Sequence, residues 1–438
     1  MSNFAKVTAH IQALRRKFEA LLEAAREKAD RVRKTPADRP TGLRELTAFG
    51  PNPGNLRMLV HVPERLPSMA PLVVALHGCS QTADEYDYGT GWSSLANRLG
   101  FAVVYPEQQP ANNPKNCFSW FLPGDIARGH GEALSIRQMV EHTIARFGVD
   151  RHRVFVTGLS AGGAMAAVML ATYPEVFAGG AIIAGLPYGC ARSVQQAFEA
   201  MFTEQSHSAH ALGDRVRAAS RHRGPWPKIS VWHGTADPIV KPSNAEDIIR
   251  QWTNVHGLSA TPSYGELIGN HTRRVWNGAN GDALIEAFSI SGMAHGVPLA
   301  STMGEDSCGA AGAFFLDAGI CSTHRIAGFW RLGEGTVAMP HAPAMVSELG
   351  QIRAGGRALV VAGEAGGCWN DSDEASFDPN AEQDTRRRHD PNLVIAAAFK
   401  AAGLPVPESP SGPPGATPHI APGPIIEAAL KAAGLIRT

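Results

Sequence analysis

The sequence predicts an α/β fold built on a doubly wound, mostly parallel sheet. Short apolar runs alternate along the chain with segments of helical periodicity, such as Trp92 to Leu99 and Glu132 to Arg146. Continuous apolar runs are typical of strands buried on both faces of a parallel sheet, and the helices between them provide the crossovers. The runs lie at 56–62, 72–76, 102–105, 154–157, 180–183, 229–232 and 284–290. Because ligands of such sheets bind beyond the carboxyl ends of the strands, we expect the functional residues there.

Three parts are predicted within the 438 residues. Residues 1–40 form an amphipathic helix and a linker, residues 41–332 form the catalytic domain, and residues 333–438 form a Gly/Ala/Pro-rich extension with two short related helices. The apolar stripe of the first helix consists of Phe4, Val7, Ile11, Leu14, Phe18, Leu21 and Ala25. We expect this helix to dock on the body of its own chain, since a coiled coil of so few heptads is marginal alone.

Charge and cysteine content exclude several functional classes. Lys plus Arg and Asp plus Glu each number 40, so no net field attracts the chain to nucleic acid or to an anionic membrane. No apolar run reaches the length of a transmembrane segment, and the charged N-terminus lacks the apolar segment of a signal peptide, which predicts a cytoplasmic location. The six cysteines contain no Cys-x-x-Cys pair, so no metal site is expected, and disulfides stay open for an exported protein. Oligomeric state is not indicated.

The most informative motif is Gly-x-Ser-x-Gly at 158–162, which follows an apolar run and precedes a helical pattern. Strand, sharp turn and helix in this order expose the serine hydroxyl at the edge of the sheet. Small residues at Gly158, Ala161 and Gly162 allow the strand and the helix to approach closely. Ser160 is therefore the candidate nucleophile, and a chance match in a small-residue loop is the alternative.

A serine nucleophile needs a histidine base and a carboxylate that orients the base. Asp237 follows the apolar run 229–232 in a turn sequence, and His295 follows the run 284–290 beside a glycine. Aspartate is common in turns and a lone histidine is usually structural, but the chain order Ser, Asp, His favours the catalytic roles.

The oxyanion of the transition state needs backbone donors. One is expected from Ala161, the residue after the nucleophile, and another from the loop that follows the run 72–76. We predict the amide of Cys79 as this second donor, with Ser80 and Gln81 of the same loop as candidate substrate-binding residues. An ordinary tight turn is the alternative interpretation of this loop.

A family resemblance rests on linked motifs: LHGCSQTADEY at 76–86, NCFSWF at 116–121, GLSAGGAMAAVMLATYPEVFAGGAIIAGLPYG at 158–189, GPWPKISVWHGTADPIV at 224–240 and MAHGVPL at 293–299. Together they resemble the esterase family named for polyhydroxybutyrate depolymerases. The resemblance implies an α/β-hydrolase fold, a triad of Ser160, Asp237 and His295, and oxyanion amides at Cys79 and Ala161. It further implies that Cys79 pairs with Cys117. Trp120 and Phe121, just beyond this cysteine, are candidates for an apolar wall against an acyl chain, or else plain core residues.

The leading hypothesis is a serine carboxylic-ester hydrolase that acts on hydroxyalkanoate oligomers or polymer and requires no cofactor. A feruloyl or acetylxylan esterase is the second hypothesis, and an inactive granule-associated binding protein is the third. The resemblance also bears on location, because depolymerases of this kind are commonly extracellular.

Overall fold

The predicted apolar runs form the centre of a ten-stranded sheet. The computed structural model of the protein describes residues 3–32, 42–204, 207–301 and 308–334. Its strands are β1 (Arg44–Leu46), β2 (Arg57–His61), β3 (Leu72–Leu76), β4 (Ala102–Glu107), β5 (Val154–Leu159), β6 (Gly179–Ile183), β7 (Lys228–Gly234), β8 (Tyr264–Ile268), β9 (His271–Asn277), β10 (Ala283–Ile290), β11 (Val297–Leu299) and β12 (Phe315–Asp317).

The strand order in the large sheet is β1-β2-β4-β3-β5-β6-β7-β10-β9-β8. The strands from β4 to β10 in this order pair in parallel, whereas the pairs at both edges are antiparallel. The sequence prediction of a mostly parallel α/β sheet is thereby confirmed. Strands β11 and β12 form a separate parallel pair.

The edge strands β1 and β8, and β9 beside β8, were absent from the sequence prediction for a physical reason. Four of the five residues of β8 are exposed, and β9 carries the charged residues Arg273 and Arg274 between its buried positions. Edge strands that face solvent do not need continuous apolar runs, so their sequences do not differ from those of loops.

Helices α2 to α9 occupy the connections between strands of the large sheet, whereas α1 precedes the first strand and α10 follows the last. They are α1 (Asn3–Val32), α2 (Ala83–Thr90), α3 (Trp92–Leu99), α4 (Pro123–Ile126), α5 (Gly131–Phe147), α6 (Ala161–Thr172), α7 (Val194–Phe202), α8 (Ala209–Ala218), α9 (Ser243–His256) and α10 (Ser322–Phe329). The two helices predicted between the strands correspond to α3 and α5. Helix α6, which follows β5, is buried along its whole length.

The N-terminal helix α1 packs on α7 of the same chain. Phe18 and Leu22 are buried, and the Phe18 ring lies 5.8 Å from the Phe198 ring in an edge-to-face arrangement. The predicted linker after α1 and the two related helices of the C-terminal extension lie outside the described residues. Among the residues that the structure describes, no helix has both the length and the apolar character of a membrane span.

Candidate active site

Ser160 lies on the sharp turn between β5 and α6. Its backbone has φ 58° and ψ −116°, a conformation that costs energy for any residue other than glycine. A Cβ atom at Gly158 would lie 2.4 Å from the backbone of Gly162, and one at Gly162 would lie 2.3 Å from the carbonyl oxygen of Leu76. Glycine at both positions therefore permits the turn, as the motif predicts.

Two backbone hydrogen bonds fix this turn. The amide of Ser160 donates to the carbonyl of Ile183 at the end of β6, at 2.9 Å, and the Ser160 carbonyl accepts from the amide of Ala164 at 2.8 Å. The turn is thus bonded to the neighbouring strand and to the first turn of α6. Ser160 is 7% exposed, so its side chain sits in a largely water-excluded site.

Asp237 follows β7 and accepts hydrogen bonds on both carboxylate oxygens. Its Oδ1 accepts from the amides of Ile239 at 2.8 Å and Val240 at 2.9 Å, and its Oδ2 accepts from Nδ1 of His295 at 2.7 Å. Burial alone would raise the pKa of Asp237, but the charge of His295 and the hydrogen bonds from His233 and His295 lower it below its usual value. The carboxylate therefore stays ionised and can stabilise an imidazolium at His295.

His295 lies beyond the end of β10, the strand that pairs with β7. Because its Nδ1 donates to Asp237, its Nε2 is the ring nitrogen that can accept a proton. The ring is 5% exposed and lies edge-to-face with Phe314, with the ring centroids 6.1 Å apart. Ser160, Asp237 and His295 therefore follow the carboxyl ends of β5, β7 and β10, which lie on the same edge of the sheet.

A second histidine contacts Asp237 and was given no role from the sequence. Nε2 of His233 lies 3.2 Å from Oδ2 of Asp237 and donates to the Val240 carbonyl at 2.9 Å. Its ring is buried, and its Nδ1 has no hydrogen-bond partner among the described residues. His233 thus helps to hold the turn that carries Asp237. The four-residue spacing in His-Gly-Thr-Ala-Asp was the only available signal.

The predicted oxyanion amides have no hydrogen-bond partner among the described residues. This holds both for Cys79, in the loop after β3, and for Ala161, the first residue of α6. An N–H group at the first position of a helix has no intrahelical acceptor, so it remains available to a ligand. Both amides can therefore donate to a ligand oxygen.

Side chains of the same loop hold it in shape. His77 donates from Nδ1 to the Gly78 carbonyl at 2.8 Å and accepts from the Gln108 amide at 3.0 Å. Burial lowers the pKa of His77 to about 4, so the ring is neutral at neutral pH. Oε1 of Gln81 accepts from the Gly78 amide at 2.7 Å, which gives this predicted substrate-binding residue a structural contact within its own loop.

Two disulfides connect loops near the site. Cys79 is bonded to Cys117, the pair that the family resemblance implies, and a second bond joins Cys308 to Cys321. The amide of Ser80 also donates to the carbonyl of Lys115, at 2.5 Å, so the oxyanion loop is tied twice to the loop at 115–117.

A cavity of about 730 Å³ opens beside His295. Trp120 and Phe121, the predicted apolar wall, are not among the described residues that line this cavity. Trp120 is buried, and the two rings pack edge-to-face on each other, with centroids 5.2 Å apart. Their role against an acyl chain stays a prediction, as does that of Ser80 and Gln81.

Comparisons with known proteins identify the family of this chain. The family model for Esterase PHB depolymerase matches residues 59–271. The chain is 50% identical over 289 residues to poly(3-hydroxyalkanoate) depolymerase C of Paucimonas lemoignei, covering 66% of this chain and 70% of that protein. It is 35% identical to an acetylxylan esterase of Coprinopsis cinerea, covering 60% of this chain and 71% of that one.

Among solved structures, an acetyl xylan esterase from Aspergillus awamori superposes with a TM-score of 0.54 at 30% identity. The match covers 58% of this chain and 93% of that one. The fold is therefore the α/β-hydrolase fold of these carboxylic-ester hydrolases.

Proposed function

Since this chain belongs to the esterase family of polyhydroxybutyrate depolymerases and is a carboxylic-ester hydrolase, we propose that it cleaves esters of hydroxyalkanoates by a serine mechanism. The observation that carries the mechanism is the 2.7 Å hydrogen bond between Asp237 and His295, on the sheet edge that also bears the strained turn of Ser160. The substrate class is supported by the 50% identity to a poly(3-hydroxyalkanoate) depolymerase.

In this mechanism, Oγ of Ser160 attacks the ester carbonyl carbon while Nε2 of His295 accepts the hydroxyl proton. The amides of Cys79 and Ala161 donate to the oxyanion, and Asp237 stabilises the imidazolium of His295. His295 then gives the proton to the leaving alcohol, which produces an acyl-enzyme on Ser160. A water molecule, activated by the same histidine, hydrolyses the acyl-enzyme and restores the serine.

The two disulfides bear on the compartment in which the enzyme works. Disulfide bonds persist in oxidising compartments and are rare in a reducing cytosol. We therefore propose that the enzyme works in an oxidising compartment, in contrast to the cytoplasmic location that the sequence alone predicts.

A panel of esters tests the substrate class. It contains a linear 3-hydroxybutyrate trimer, methyl ferulate and acetylated xylan, with Ser160→Ala as the control for background hydrolysis. We expect kcat/KM for the trimer to exceed both others by about tenfold or more, since a site shaped for one acyl group discriminates by about this factor. Faster turnover of ferulate or of acetylated xylan would instead favour the second hypothesis, which the identities to acetylxylan and feruloyl esterases support.

A further inference from the structure

The N-terminal helix α1 lies beside the catalytic centre. Leu21, Ala24 and Ala25 of α1 line the cavity that opens at His295, and Met293 and Phe314 line it from the body of the enzyme. None of the predicted catalytic or oxyanion residues lies in α1, so the sequence places this helix outside the site. The structure instead brings its apolar stripe into the wall of a cavity that reaches the catalytic histidine.

Three kinds of contact hold α1 in this place. Phe18 packs on Phe198, and the ammonium group of Lys17 lies 4.8 Å from the centre of the Phe202 ring. Outside the lining of this cavity, the guanidinium of Arg26 donates to the carbonyl of Ser80. Because Ser80 follows Cys79 directly, α1 is bonded to the loop that carries one oxyanion amide.

The side chains that line the cavity indicate what kind of ligand the cavity binds. Leu21, Ala24 and Ala25 offer only alkyl groups, and Phe314 and Met293 add apolar side chains to the same lining. A mostly apolar cavity of about 730 Å³ is within the size range of small-molecule sites, and it fits the alkyl part of a short ester. A helix that closes one side of this cavity limits the length and the bulk of the ester that reaches His295.

We propose that α1 is a specificity-determining wall of the substrate cavity, and that it selects short, soluble hydroxyalkanoate esters by packing against their alkyl groups. The selection of hydroxyalkanoates rests on the proposed function, whereas the role of α1 as a wall does not. This assignment gives the amphipathic helix a part in substrate recognition without any part in the chemical step.

A pair of matched substitutions on α1 tests the proposal in the full-length chain. Ala20 and Ala24 are both exposed on the same helix, but only Ala24 lines the cavity. We expect Ala24→Trp to raise KM for the 3-hydroxybutyrate trimer about tenfold, because an indole would occupy space that the alkyl chain needs. The loss on p-nitrophenyl acetate should be at least threefold smaller, and Ala20→Trp should leave both values within about twofold of wild type.

A second variant keeps the test decisive if Ala24→Trp fails to fold. Leu21→Ala removes methyl groups from the wall, so the ratio of kcat/KM for long to short p-nitrophenyl esters should rise about threefold or more. This ester series also separates the two proposals, since it reports on the wall even for an enzyme that does not hydrolyse the trimer. Unchanged chain-length preference in both variants, or equal losses on all esters, would overturn the role of α1 as a wall.

Discussion

The two regions that meet at the catalytic edge of the sheet are held in different ways. The residues proposed for catalysis are fixed by short hydrogen bonds within buried surroundings: Asp237 accepts from two amides and from His295, and Ser160 donates to β6 through its amide. Helix α1 reaches the same place from outside. Among its described side chains only Phe18 and Leu22 are buried, and the others are exposed or half-buried.

This difference separates two tasks. Chemistry needs donors and a base held within a few tenths of an ångström, and the buried sheet edge provides that rigidity. Selection of a substrate needs only a surface of the right shape, which a helix docked by a few apolar contacts can supply. We therefore expect substitutions at the sheet edge to reduce the rate of the chemical step, and substitutions in α1 to change which esters react.

The largest effect is expected from the proposed base and its orienting carboxylate. His295→Ala should lower kcat about 10⁴-fold or more, and Asp237→Asn about 10³- to 10⁴-fold, because the asparagine leaves a base with the wrong tautomer. Steady-state hydrolysis of p-nitrophenyl acetate measures both, and circular dichroism checks that the variants are folded. Near wild-type turnover by Asp237→Asn would mean that another carboxylate orients His295.

The sheet edge and α1 should also differ in local stability. Every residue of α6, which begins directly after Ser160, is buried, whereas α1 is anchored by two buried side chains among those described. We expect the amides of α1 to exchange with deuterium about 10²-fold faster than those of α6, since opening α1 exposes little apolar surface. Hydrogen exchange followed by mass spectrometry measures this ratio. Equal exchange rates for the amides of α1 and α6 would show that α1 is as stable as the core, and the two regions would then not differ in local stability.

Some parts of the fold and of the candidate site could be predicted from the sequence, and others could not. The bounds of β3 and α3 agree with the prediction, because an apolar run and a glycine cap define them locally. The contact of α1 with the cavity beside His295 could not be predicted, since periodicity identifies an apolar stripe but not the surface that it covers.

Two pairs of residues that contact each other could not be predicted either, because the fold, and not the local sequence pattern, decides which side chains meet. His233 touches Asp237 through a fold-dependent turn, and six cysteines do not specify that Cys308 pairs with Cys321. By contrast, the sequence predicts Ser160, Asp237 and His295 as a triad because each follows a recognisable strand in a fixed order.

A smaller effect is expected from the disulfide behind the oxyanion loop. Cys117→Ser should lower kcat/KM by less than about 10²-fold, because it loosens the Cys79 amide without removing it, and loss of a whole donor costs about 10²-fold or more. Cys190→Ser is the matched control, since Cys190 forms no disulfide in the structure. Rates equal to wild type for Cys117→Ser would show that the loop keeps its shape without the bond.

The smallest effect at the sheet edge is expected from His233. His233→Gln should lower kcat about tenfold while KM stays nearly constant, because Asp237 loses the contact with the His233 ring 3.2 Å away but keeps its three hydrogen-bond donors. The control is His256→Gln, which alters a half-buried histidine that also donates to a backbone carbonyl, here that of Pro227. A loss of equal size in the control would assign the effect of His233 to stability alone.

Covalent labelling of the nucleophile tests the proposed serine mechanism most directly. A fluorophosphonate reacts with an activated serine and leaves a stable adduct, which peptide mapping by mass spectrometry can locate. The proposed serine mechanism predicts one adduct per chain on the peptide that contains Ser160, complete loss of esterase activity on labelling, and neither adduct nor activity in Ser160→Ala. An adduct on a different serine, or esterase activity retained by Ser160→Ala, would contradict it.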